Sequence, residues 1–393
     1  MTPMLRTPIG FTVVFVFGFL ATTVLANAAT TGRELWSTTQ AKDWGERTGW
    51  LVGSNFIPST AINELEMWQA DTFDLPTIDR ELGWAEGLGF NSVRVFLHNI
   101  PWDQDPQAFL SRVDSFLGVA AKHRIGVAFV LFDSCWDPYP RPGKQREPQR
   151  GLHNSGWVQC PGTDILKDPA RRDKLEGYVK GIIGRFKDDK RVNLWDVYNE
   201  PDNANDSSYG KNNLKQELPD KVELSLALLK KAFVWAREAG PSQPLTSAPW
   251  TGDWSSPEKQ SETARFQFEN SDVISFHMYA NLPETRRHVE MLRRYDRPLV
   301  CTEYMARPQG STFEAILPYL KSERIAAYNW GFVAGKTNTI YPWDSWQHPY
   351  PAEPKVWFHD IFRPDGTPFD EKEVELIRKT TGAEERRKVG IGE

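Results

Sequence analysis

The feature that most constrains this chain is an alternation of short apolar runs with longer segments of helical spacing, repeated eight times. The runs fall at residues 50–56, 92–97, 127–132, 192–198, 244–248, 273–277, 299–302 and 326–332. Between them, Ile78, Leu82, Ala85 and Leu88 recur at the spacing that aligns side chains on one helix face. Phe109, Val113, Phe116, Leu117 and Ala120 repeat the pattern in the next interval. Further helices are expected at 169–188, 217–239, 257–269, 284–295, 313–322 and 370–380. No solenoid-length repeat or low-complexity linker interrupts the series. Eight such alternations fit a closed parallel barrel better than an open sheet, so the expected fold is α/β, a single-domain (β/α)8 TIM barrel over residues 29–381.

In such a barrel, function gathers at the C-terminal ends of the strands, where the βα loops meet. The residues just after the runs include Asn55-Phe56, His98-Asn99, Asp133-Ser134-Cys135-Trp136, Asn199-Glu200-Pro201, Trp250, His277-Met278-Tyr279, Glu303-Tyr304 and Trp330-Gly331. They are polar, aromatic or ionisable, whereas the strand interiors are apolar. One pocket assembled from many strand ends leaves this pattern. Two long loops, 133–168 after the third strand and 341–348 after the eighth, have the length at which loops are usually functional. They are expected to wall off the ends of a groove.

Two carboxylates stand out in that set. Hydrolysis of a glycosidic bond needs one carboxyl group to protonate the leaving oxygen and a second to attack or stabilise the cationic centre. Leu194-Trp195-Asp196-Val197-Tyr198-Asn199-Glu200-Pro201 places Glu200 at the end of the fourth strand, and Leu299-Val300-Cys301-Thr302-Glu303-Tyr304 places Glu303 at the end of the seventh. A nucleophilic carboxylate must be charged, which a nearby cation such as Arg94 favours. An acid catalyst needs a raised pKa, which burial and a neighbouring negative charge supply.

With these motifs the sequence resembles the glycoside hydrolases of clan A, and most closely family 5, the cellulase and mannanase-like group, over about residues 48–335. The resemblance implies a retaining mechanism with Glu200 as acid/base and Glu303 as nucleophile. It further implies that Asn199 binds a sugar 2-hydroxyl, that Arg94 keeps the nucleophile ionised, that His277 and Tyr279 form the strand-six pair and that Trp330 is a sugar platform. The family has a histidine near the end of strand three, where this chain reads Phe132-Asp133-Ser134-Cys135-Trp136. His98 and His153 are the stand-ins, and Trp136 is a further candidate for sugar contact.

Composition narrows the partner. A net charge of −5 from 47 basic and 52 acidic residues, with no basic run, excludes a nucleic-acid binder and suits a neutral polymer. Sixteen tryptophans supply flat faces for sugar rings, although aromatic side chains of this size also build cores. Tryptophans 68, 102, 136, 157, 250, 254, 343 and 346 fall in loops on the catalytic side. The seven histidines show no metal-ligand spacing, so neither metal nor cofactor is expected. Arg6, the apolar run 11–25 and Ala26-Asn27-Ala28 have the order of a secretory signal, so residues 1–28 are expected to be removed, leaving no membrane attachment and a secreted or periplasmic product. Export allows a Cys135–Cys160 bridge, which is expected, with Cys301 an inert thiol. The charged segment 382–393 reads as a solvated tail. Two alternatives share the same features: a transglycosylase on the same site, and a carbohydrate-binding barrel without activity.

Overall fold

The computed structural model describes residues 32–206, 208 and 218–384. The expected leader, 1–28, and the tail beyond residue 384 lie outside them. Eight strands form one parallel sheet: β1 (Val52–Asn55), β2 (Ser92–Phe96), β3 (Gly126–Val130), β4 (Val192–Asp196), β5 (Leu245–Thr246), β6 (Ile274–His277), β7 (Leu299–Tyr304) and β8 (Ala326–Asn329). Their order is β5-β4-β3-β2-β1-β8-β7-β6, so each expected run became a strand in its expected place. The seam between β5 and β6 lacks a regular ladder. It is bridged instead by Asp272 N to Leu245 O (2.8 Å), His277 N to Pro249 O (3.1 Å) and the Thr246–Ser275 hydroxyl pair (2.6 Å). Pro244 and Pro249 bracket β5 and lack the N–H a ladder needs, which keeps this strand to two residues.

The outer helices start where the sequence provides caps. Asp74, Asp105 and Asp168 each accept from a backbone N–H of the following first turn, and each helix carries proline at its start, where no N–H is missed. The apolar faces anticipated on Leu75–Gly87 and Pro106–Lys122 are buried. Six further helices, Pro169–Phe186, Lys221–Glu238, Glu262–Asn270, Leu282–Leu292, Phe313–Ser322 and Glu371–Thr381, complete the layer.

Inside the ring, a lower apolar layer of Leu51, Ala128, Leu194, Val273, Val300, Ala326 and Tyr328 is closed by Trp44 of an N-terminal helix, Thr38–Thr48. Gly53 allows β1 to approach β2, since a Cβ there would meet Ser92 O at 1.6 Å. Above this layer the interior turns polar, beginning with Ser92 bonded to Tyr328 and Asn193. The next inward position on β2 is Arg94, in register with Asn55 and Ala128. The site is built on that arginine.

Candidate active site

Arg94 has no solvent exposure and spends its guanidinium on four neighbours. Nη1 donates to Asn55 Oδ1 (2.7 Å) and Glu303 Oε1 (2.9 Å), Nη2 to Asp196 Oδ2 (2.8 Å) and Asn199 Oδ1 (2.7 Å), and Nε to Asp196 Oδ2 (3.1 Å). One cation therefore ties β1, β2, β4 and β7 together. Asp196, which sequence reasoning passed over as a strand residue, supplies the second buried countercharge.

Glu200 and Glu303 face each other across the ring. One oxygen from each, together with a ring nitrogen of His277, lies within a set of mutual distances no greater than 4.8 Å. Burial raises both carboxyl groups above their usual range, opposed at Glu303 by the charge of Arg94 and at Glu200 by hydrogen bonds from Asn203 and Cys135. The asymmetry is one of contact: Arg94 touches Glu303, and among the described residues no lysine or arginine lies at salt-bridge distance from Glu200. That contact favours the anionic form of Glu303. Tyr279 Oη donates to Glu303 Oε2 (2.7 Å), and burial beside that carboxylate pushes its own pKa well up, so it stays a donor. His277 Nδ1 lies 2.8 Å from Glu200 Oε1 and 3.5 Å from Glu303 Oε2, and burial lowers its pKa to about 4, leaving a neutral ring at neutral pH. Among the described residues these three form the one group with the geometry to accept a metal ion, a set that sequence spacing could not show.

Asn199 is clamped at both ends of its amide, since Oδ1 accepts from Arg94 and Nδ2 donates to Asp133 Oδ1 (2.9 Å). Asp133 also accepts from Trp157 Nε1 (2.6 Å), and burial raises its pKa to about 6. It stands just after β3, where the resemblance implies a histidine. Glu200 follows with φ 45°, a conformation a glutamate rarely adopts. Trp136, Asn154 and Asn205 also have positive φ and also line the cavity, and non-glycine strain of this kind gathers at functional sites.

The cavity has a volume of ≈ 230 Å³. Glu200 and Glu303 lie in its wall with Asn199, His277, Tyr279 and the indoles of Trp136, Trp157, Trp250, Trp330 and Trp343. Trp330 stands edge-on to Phe96 and Trp157. The remaining loop tryptophans pack instead: Trp68, Trp254 and Trp346 are buried, and Trp102 leans on Tyr178. The two long loops meet over the site. Trp136 stacks on Trp346 (centroids 5.2 Å, 15° between planes), Trp346 Nε1 donates to His153 O (2.9 Å), and His153 N donates to Ser345 Oγ (3.0 Å).

Two expectations are corrected. His98 is not brought to the cavity: its Nδ1 accepts from Ile100 N (3.0 Å) as the cap of the short helix Asn99–Gln104, and its Nε2 lies 3.1 Å from Gln159 O. Of the two stand-ins, His153 lines the cavity. Cys135 and Cys160 are unbridged. The backbone of Cys160 pairs with Asp133 and turns its thiol outward to Asn99 and Leu131, while Cys135 points inward with Sγ 3.2 Å from Glu200 Oε2. The thiols thus lie on opposite sides of the β3 end.

No family model matches the chain, and comparison with curated proteins finds no match. Solved structures do match. GH5_18 from Streptomyces cattleya, in complex with Manb1-4GlcNAc, is similar over 86% of this chain and 81% of its own, with a TM-score of 0.53 and 13% identity. The exo-beta-1,4-mannosidase Op5Man5 from Opitutaceae bacterium strain TAV5 is similar over 86% of this chain and 60% of its own (TM-score 0.53, 21% identity). The endo-1,4-beta-mannanase from Rhizomucor miehei is similar over 85% and 94% (TM-score 0.52, 15% identity). At these identities the likeness is one of fold.

Proposed function

We propose that this protein is a retaining β-glycosidase that releases sugar units from the ends of β-linked mannan, glucan or related oligosaccharides. The observation that carries the reading is the pair of buried carboxyl groups with oxygens within 4.8 Å, of which, among the described residues, Glu303 alone is in contact with an arginine. Retaining enzymes hold the two groups about 5–5.5 Å apart, and inverting enzymes about 6.5–9.5 Å, to admit a water between them. The close spacing supports direct attack.

Glu303, kept anionic by Arg94 and oriented by Tyr279, attacks the anomeric carbon while Glu200 passes its proton to the leaving oxygen. Formation of the glycosyl-enzyme removes the Glu303 charge, so the Glu200 carboxylate then takes a proton from water, which releases the sugar with the configuration it began with. Asn199, fixed by Arg94 and Asp133, binds the sugar 2-hydroxyl. Trp330 and Trp136, both in the cavity wall, offer indole faces to the ring. The small cavity under the joined β3 and β8 loops supports action at a chain end. Export, read from residues 1–28, fits a polymer met outside the cell.

Proton NMR of the first-formed product from an aryl β-glycoside tests the mechanism: the β-anomer is expected, and initial release of the α-anomer overturns it. Mannosides and glucosides make the first panel, since neighbours in fold are named as mannosidases and mannanases. A transglycosylase differs only in the second-step acceptor, and product analysis with added sugar acceptor separates the two.

A further inference from the structure

We infer that Trp343 is the partition that ends the catalytic cavity, and that a second groove on its far side is a latent site for the next sugar units. This rests on the reading of the site as a β-glycosidase acting at chain ends. Trp343 lines both the catalytic cavity and a separate surface groove of ≈ 570 Å³. Its indole stands edge-on to Tyr279 on the catalytic side (4.9 Å) and against Phe358 on the other (4.9 Å). One side chain thus separates two spaces.

The far groove has the chemistry of a sugar site. Tyr350 and the rings of Pro342 and Pro354 offer flat apolar faces, and Gln309, Asp344 and Gln347 offer amide and carboxylate groups at its edge. Val356 on its rim is half-exposed, one of three large hydrophobic side chains left in solvent among the described residues. Trp343 borders both spaces, and action at a chain end requires the cavity to be closed beyond the terminal sugar, so the occupant of the far groove is the glycone-side units of the same β-linked chain. The partition is held firmly, because the turn Trp343–Trp346 is fixed at its other end by the stack of Trp346 on Trp136 and by Ser345 on His153. A mobile lid is not needed to explain a closed end, since a fixed indole closes it.

The test compares two substrates: an aryl β-monoside, which fits the closed cavity, and an aryl β-disaccharide whose non-reducing sugar carries a benzylidene acetal. The capped compound releases its aryl group only if the cavity continues past the first sugar. For the wild type, turnover of the monoside and none of the capped disaccharide is expected. In Trp343→Ala aryl release from the capped disaccharide should appear, at about tenfold or more above the limit of detection that bounds the wild type, because binding energy from a second ring becomes accessible. Trp343→Leu, which keeps bulk against Tyr279, should give a smaller rise, and Trp343→Phe should resemble wild type. If release from the capped compound stays below that limit in the folded Ala and Leu variants, the partition is refuted. Loss of turnover on both substrates in both folded variants refutes it too, since the indole then serves the reaction itself. Wild-type cleavage of the capped compound instead overturns the chain-end reading on which the inference stands.

Discussion

Replacing Arg94 by methionine should expose the electrostatic logic of the site, because one side chain there neutralises two buried carboxylates. The substitution keeps much of the aliphatic volume and removes five hydrogen bonds, two to Asp196 and one each to Glu303, Asn55 and Asn199. Unit charges about 4 Å apart at an effective dielectric near 20 attract by about 4 kcal/mol, or about three pKa units. Water entering the vacated space and the remaining Tyr279 bond will absorb part of this, so the acidic limb of kcat/KM should move up by at least about one pH unit. Breaking a buried pair on one side typically costs about 3–5 kcal/mol of stability. The sign of its pH dependence follows from linkage. Burial already raises the Glu303 carboxyl, and loss of Arg94 raises it further, so the folded variant favours the protonated group while the unfolded chain ionises at the ordinary value. The penalty should therefore grow as pH rises from about 5 to about 7.5 and shrink on acidification. Thermal melts at both pH values and a pH–rate profile on an aryl glycoside measure the two effects. An unmoved acidic limb together with a pH-independent melting deficit would show that Arg94 only fills space.

Three other outcomes are expected. Glu303→Gln should abolish turnover even of activated aryl glycosides, whereas Glu200→Ala should form the glycosyl-enzyme in a burst and be accelerated by azide to give a β-glycosyl azide; azide rescue yielding the β product in the Glu303 variant alone exchanges the two roles. Asp133→Asn should lower kcat/KM by about tenfold to a hundredfold, since the Asn199 amide and the Trp157 indole lose a charged acceptor. Because Asp133 is raised to about 6, its accepting form is complete above that pH and lost below it, so the wild-type decline near pH 6 should flatten in the variant, as a pH–rate series will read. Burial, together with Asp133, Glu200 and Glu303, pushes the Cys135 thiol well above its usual range, so its alkylation should be slow at neutral pH, rise as pH increases and be blocked by bound sugar. Mass spectrometry of unreduced protein that finds a Cys135–Cys160 peptide contradicts the unbridged arrangement.

What could be read from the sequence was whatever depends on local pattern. Strand runs, amphipathic helices and the polar character of strand ends are each set within about a dozen residues, and all eight strands stand where the periodicity placed them. What was missed depends on contacts between distant segments. Asp196 lies inside an apolar strand, and its role appears only when the β2–β3–β4 registers bring it to Arg94. The choice between His98 and His153 turned on how the long third loop returns. His98 satisfies its own helix end, and His153 is carried to the cavity by the loop's contact with Ser345.

The clearest case of information absent from the local sequence is the backbone at Glu200. Nothing in Asn-Glu-Pro announces a left-handed glutamate, a conformation that costs about 1–3 kcal/mol and persists only where its surroundings over-determine it. Those surroundings are on the neighbouring strand. Asn199 N donates to Phe132 O (2.8 Å), Ser134 N donates to Asn199 O (3.2 Å), and the Asn199 side chain is held between Arg94 and Asp133. With the residue before it fixed by main chain and side chain alike, and Asn203 N returning to Glu200 O (2.9 Å), the strand cannot run straight on. The turn aims the carboxyl group at His277, Cys135 and Asn203, in the wall of the cavity opposite Glu303. The strain at Glu200 is thus the local consequence of building the Arg94 cluster directly beneath it, and the same cluster that binds Glu303 places the Glu200 carboxyl group across from it.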